Sequence, residues 1–89
     1  MPRATRSDIG TLLQETRAIE MLMNEADVPP HRLQEYWALS ADLMVLVTDI
    51  EEQQASNPNS GYDDPIMFTL KHRLREVISR LAELQEDEQ

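Results

Sequence analysis

The sequence of 89 residues contains no cysteine, only two glycines and only four aromatic side chains. Without cysteine, the chain forms no disulfide and offers no thiol nucleophile or thiolate zinc site. With two glycines, it lacks the glycine-rich turn that cradles a phosphate group. The longest apolar run, Leu43 to Val47, is far shorter than the roughly 20 residues that cross a bilayer. These absences favour a soluble cytoplasmic protein without a membrane partner.

The charge of the chain is strongly one-sided. Seventeen acidic residues against eight basic ones give a formal net charge of −9. This balance repels nucleic-acid backbones and anionic membranes, so it predicts no direct nucleic-acid partner and favours a basic one. A chain of this length forms one domain with a thin core, and self-association is a common way to enlarge such a core.

The clearest pattern present is a helical one, close to the C-terminus. Apolar residues recur there at alternating spacings of three and four, as on the seam of a helix that packs against other helices. These residues are Met67, Leu70, Leu74, Val77, Leu81 and Leu84. Asp64 is a suitable N-cap and Pro65 suits the first turn, so helix 3 is predicted over residues 65–84.

Two further helices are predicted upstream of this one. Helix 1 covers residues 7–26, and the prolines Pro29 and Pro30 separate it from helix 2 over residues 30–54. Residues 55–64 are rich in turn formers, so they are predicted to be a ten-residue loop and the most mobile internal segment.

Together these elements predict an all-α fold, a three-helix antiparallel bundle with a long central helix 2. Residues 7–84 form the single helical domain, flanked by a flexible arm over residues 1–6 and an acidic tail over residues 85–89. If the loop turns near residue 60, Asp49 faces Arg73 and Asp42 faces Arg80 across the two helices. Val47 then lies beside Leu74.

Helix 2 is apolar around most of its circumference, whereas helices 1 and 3 each supply one stripe to cover it. The uncovered part predicts an interface, either with a second copy in a homodimer or with another protein. The candidate contact residues are Met21, Trp37, Leu39, Val45 and Leu46. The leading hypothesis is therefore a small acidic protein-interaction module. Such a module is an adaptor, an antitoxin-like or chaperone-like binder, or an inhibitor encoded by a mobile element.

A line of acidic residues supports a second hypothesis. Glu35, Asp42 and Asp49 are spaced seven apart and lie along one face of helix 2. Such a row imitates phosphates, as a DNA-mimicking inhibitor requires. A solvated or ion-paired helix face is the commoner origin of a row of this kind.

A basic cluster supports a third hypothesis. Lys71, Arg73 and Arg75 lie within two turns of helix 3 and would serve a nucleotide or small-molecule binder if they turned into a pocket at an oligomer interface. The cluster has no aromatic residues between its cations, so pairing with the acids of helix 2 is the stronger expectation.

Metal binding and catalysis have the least support. His31 with Glu35 and His72 with Glu76 have the spacing of four that puts two ligands on one helix face, but two ligands do not make a metal site. No set of serine, histidine and acid has a plausible geometry for catalysis. The sequence therefore predicts no enzyme, no metal and no cofactor.

Overall fold

The computed structural model describes residues 8–85 of the chain. This part contains three α-helices and a short 3₁₀ turn, without any strand. The elements are α1 Asp8–Glu25, the 3₁₀ turn Pro30–Arg32, α2 Leu33–Ser56 and α3 Pro65–Gln85. The three helices pack against one another, which confirms the all-α prediction. The predicted arm over residues 1–6, and residues 86–89 of the predicted tail, lie outside the described residues.

Prolines set the ends of α2. Pro29 accepts a backbone hydrogen bond from Arg32 at 2.9 Å, and the resulting 3₁₀ turn delays the start of α2 to Leu33. At its other end α2 continues through Ser56. Asn57 leaves the helical region because it precedes Pro58. The loop therefore covers residues 57–64, and the prediction of a ten-residue loop is corrected to this shorter one.

One apolar stripe from each helix forms the core. All six predicted residues of the α3 seam are buried, and Ile9, Leu12 and Met23 contribute from α1. The buried stripe of α2 consists of Leu39, Leu43, Leu46 and Ile50. α2 contacts both other helices extensively, whereas α1 and α3 contact each other less, so α2 is the central helix.

Ion pairs confirm the predicted register of α2 and α3. Arg73 contacts Asp49 at 2.8 Å, and Arg80 contacts Asp42 at 3.4 Å. The numbers rise along one helix as they fall along the other, so these two helices are antiparallel. Exposed pairs of this kind contribute about 0 to 1 kcal/mol each, so they align the helices more than they stabilise them.

A second set of contacts orients α1. Arg17 forms an ion pair with Glu51 near the C-terminal end of α2. The Tyr36 hydroxyl, near the start of α2, donates to the Met23 carbonyl at 2.6 Å. α1 is therefore antiparallel to α2 and parallel to α3. Within residues 8–85, no helix has both the length and the apolar character to cross a bilayer.

The loop between α2 and α3 is anchored at several points. Ser60 is buried, and its hydroxyl accepts a hydrogen bond from the Gln53 side chain at 2.9 Å. The Tyr62 backbone amide donates to the Asp8 carboxylate of α1 at 3.2 Å. A Cβ at Gly61 would come within 3.0 Å of the Asp63 carboxylate and 3.3 Å of the Asp8 carboxylate, so glycine leaves room for both side chains. The expectation of a mobile loop rested on its few apolar anchors. The anchors described here are hydrogen bonds, and the mobility of the loop stays a prediction.

Candidate protein-binding surface

α2 carries a second apolar surface on the side opposite the core. Trp37 and Met44 are each 62% exposed and Val45 is 55% exposed. At 100° per residue these positions fall within one arc of the helix, together with smaller exposed side chains. We define the α2 outer face as the exposed residues Gln34, Trp37, Ala38, Ala41, Met44, Val45 and Thr48. None of them carries a formal charge.

Met21 extends this surface onto α1. It lies one turn after Arg17, while Met44 lies two turns before Glu51, the ion-pair partner of Arg17. Because the two helices are antiparallel, both methionines are displaced from the ion pair in the same direction, by about 6 Å and about 10 Å along the helix axes. Met21 is exposed, so the two side chains lie on adjacent edges of one surface.

The structure corrects part of the predicted contact set. Leu39 and Leu46 are only 1% exposed and belong to the core, so they do not lie on an outer surface. Met44, which the sequence analysis did not select, lies on that surface instead. The physical reason for the wrong assignment is that α2 has two seams on which successive residues are four, three and four positions apart. The seam of large branched aliphatic residues packs between α1 and α3, and the seam that contains Trp37 and Met44 faces solvent.

The three acids of the predicted acidic line all have arginine partners. Glu35 contacts Arg32 at 2.7 Å, in addition to the two pairs that align α2 with α3. The line therefore lies along a row of guanidinium groups, which offset part of its negative charge. An open row of negative charge, as a phosphate mimic requires, is not presented by these residues.

The predicted basic cluster is divided between two sides of α3. Arg73 faces α2 through its pair with Asp49, whereas Lys71 and Arg75 line a groove between α3 and α1. The Lys71 ammonium lies 4.4 Å from the centre of the Tyr62 ring, in a cation–π contact. The three side chains therefore do not share one pocket within a single copy of the chain.

The Tyr62 hydroxyl has a shifted protonation equilibrium. Burial raises the pKa of the Tyr62 hydroxyl above its ordinary value of 10.0, and the negative charges of Glu15 and Asp8 raise it further. His72 lies 3.5 Å from Glu76, as its spacing predicted. Among residues 8–85, no group of three or more histidine or acidic side chains is placed to hold a metal ion.

No protein-family model, curated protein sequence or solved structure matches this chain. The exposed side chains and their surroundings are therefore the basis for a functional proposal.

Proposed function

We propose that this protein is a protein-interaction module and that the α2 outer face is its docking surface. The observation that carries the proposal is an uncharged face with three large apolar side chains, each more than half exposed, on a chain with a net charge of −9. Burial of one such side chain contributes about 1.5 to 3 kcal/mol. A partner that covers Trp37, Met44 and Val45 therefore gains a substantial driving force.

A second copy of the chain is the partner whose shape fits this face. If two α2 helices cross in antiparallel orientation at Ala41, Trp37 of each copy faces Val45 of the other, and Met44 faces Ala38. Large residues then meet small ones, and alanine at the crossing point permits close approach of the helices. Such a contact is isologous, since the same patch serves on both copies. Because the face carries no charge, there is no like-charge repulsion at the centre of the dimer.

Light scattering coupled to size exclusion tests the dimer. The wild-type chain should have twice the monomer mass, and the mass should fall toward that of the monomer on dilution. The double variant W37E/M44E should remain monomeric at all concentrations. Phe68→Glu is the matched control, because Phe68 is 68% exposed but lies on α3, away from the α2 outer face. This control should dimerise as the wild type does.

A photo-crosslinking residue at position 45 tests the broader proposal. It should join two copies of the chain, or join the chain to another protein, and the product should disappear in W37E/M44E. If the wild type is monomeric and yields no crosslink that depends on Trp37 and Met44, the proposed function is wrong.

No specific observation favours either alternative hypothesis. The DNA-mimicking inhibitor would act through Glu35, Asp42 and Asp49, which are all paired with arginines. The nucleotide binder would use Arg73 together with Arg75, and these side chains line different grooves. The cytoplasmic location stays a prediction from the sequence.

A further inference from the structure

Two cations on α3 stand apart from the rest of the described basic residues. Arg17, Arg32, Arg73 and Arg80 each form an ion pair with a carboxylate. Within residues 8–85, Lys71 and Arg75 do not lie within ion-pair distance of any carboxylate. In a chain with seventeen acidic residues, the lack of a carboxylate beside these two cations is not explained by a shortage of acids. Lys71 and Arg75 are one helical turn apart and point the same way.

Both cations border an apolar groove between α1 and α3. The groove has a volume of about 420 Å³, and its apolar lining residues include Ile19, Leu74 and Ile78. Lys71 and Arg75 also line an adjacent hollow of about 190 Å³ beside the exposed Phe68. The groove stays open because α1 and α3 pack mainly on α2 and contact each other less.

The charged groups around this groove define what it accepts. Glu15 is the one acidic side chain in its lining, on the α1 wall, and His72 lies in the adjacent hollow. Lys71 and Arg75 together therefore outweigh Glu15, so the α3 wall attracts negative charge while the floor attracts apolar groups. A polynucleotide fits poorly, because the lining of the groove contains no aromatic side chain on which a base could stack.

We propose that the groove between α1 and α3 binds an amphipathic helical peptide segment whose apolar residues fill the groove and whose acidic residues pair with Lys71 and Arg75. The spacing of the two cations, one turn along α3, matches acids one turn apart on a second helix. An apolar groove with charges on its rim is the usual receptor for such a segment. This site lies outside the α2 outer face and does not depend on self-association.

A displayed library of random linear peptides tests the proposal directly. Selection on the full wild-type chain alone should enrich sequences that combine acidic and apolar residues at helical spacing. Affinity of the selected peptides, measured by fluorescence anisotropy, should fall about tenfold in K71Q/R75Q and should weaken with added salt. Nuclear magnetic resonance should show shifts at Ile19 and Ile78.

Controls separate the site from general effects of charge and folding. Arg80→Gln removes one positive charge from another side of α3, as Arg75→Gln does from the groove, and it should leave peptide affinity unchanged. Arg75→Gln alone keeps the contact between Lys71 and Tyr62, and it should still weaken binding. Circular dichroism should show the same helix content in all variants. The monomeric variant W37E/M44E should bind the peptides normally, so failure of the dimer proposal would not affect this result.

Several outcomes would overturn the proposal. One is enrichment of peptides without acidic residues, and another is affinity that does not change in K71Q/R75Q. Phosphatidylglycerol vesicles and single-stranded DNA serve as competing anionic probes. If either binds through Lys71 and Arg75 while no acidic peptide does, the groove has a different ligand and the peptide proposal is wrong.

Discussion

At the scale of single residues, Tyr62 connects α1, the loop and α3. The raised pKa of its hydroxyl predicts how stability responds to alkaline pH. Since the folded state holds the proton more tightly, the unfolded chain loses it first as pH rises above 10.0. The contribution of Tyr62 to stability is therefore intact below pH 10.0 and is lost as pH rises through the folded pKa.

Titration of the Tyr62 ring carbons by nuclear magnetic resonance checks this, because it resolves Tyr62 from Tyr36. The pKa of Tyr62 should lie above 10.0, and Asp8→Asn should lower it toward that value by removing a negative charge. A pKa at or below 10.0 in the wild type would contradict the expected shift.

Thr16 offers a second prediction at this scale. It is fully buried, and its hydroxyl donates to the Leu12 carbonyl of its own helix at 2.8 Å. Such a bond leaves a polar atom in the core and slightly disfavours the helix. We expect Thr16→Val to raise the free energy of unfolding by about 1 kcal/mol in chemical denaturation. Thr48→Val is the matched control, since Thr48 makes the same bond to Met44 in an exposed position and should change stability less.

At the scale of elements, the two faces of α2 predict effects of very different size for substitutions at neighbouring positions. Leu46 is buried between the helices, so Leu46→Ala should lower the free energy of unfolding by about 2 to 5 kcal/mol. Val45 faces solvent, so Val45→Ala should change it by no more than about 0.5 kcal/mol. Urea denaturation of the monomeric W37E/M44E background measures both. Equal effects would mean that the two faces are assigned wrongly.

The same helix shows where prediction from sequence succeeds and where it stops. On α3 one apolar stripe is continuous, whereas Ile66, Phe68 and Ile78 do not continue a second one, so the spacing alone identified all six buried residues. On α2 two seams have the same spacing, and periodicity cannot decide which one meets α1 and α3. Leu39 and Leu46 were therefore placed on the wrong side, although Trp37 and Val45 do face solvent.

The loop and the groove show a second limit of sequence analysis. Loop composition predicted turns but not the hydrogen bond between Tyr62 and Asp8, because that bond depends on how α1 is placed. The register was predictable, since it follows from helix lengths and a turn near residue 60. Helical geometry alone predicts that Arg73 and Arg75 lie on different sides of α3. The groups around each side chain could not be predicted, because they depend on where both neighbouring helices lie.

At the scale of the whole molecule, α2 packs against a helix on each of two sides, whereas α1 packs extensively against α2 alone. We expect amide hydrogen exchange to be slowest in the middle of α2 and faster in α1, which can open without exposing the seam between α2 and α3. The Tyr62 amide should be protected by its bond to Asp8. Exchange measured by nuclear magnetic resonance checks this order, and protection of α1 equal to that of α2 would contradict it.

The succession of helices also has a consequence for the speed of folding. Helices that are consecutive in the chain make most of the contacts between helices, and the links between them are short. Native contacts therefore form between segments that are close in sequence, and little entropy is lost in bringing them together. Folding of the monomer is expected within microseconds to milliseconds, as in other small helical bundles, and temperature-jump fluorescence is fast enough to measure it. A chain that folds this quickly spends little time with its apolar seams open to aggregation.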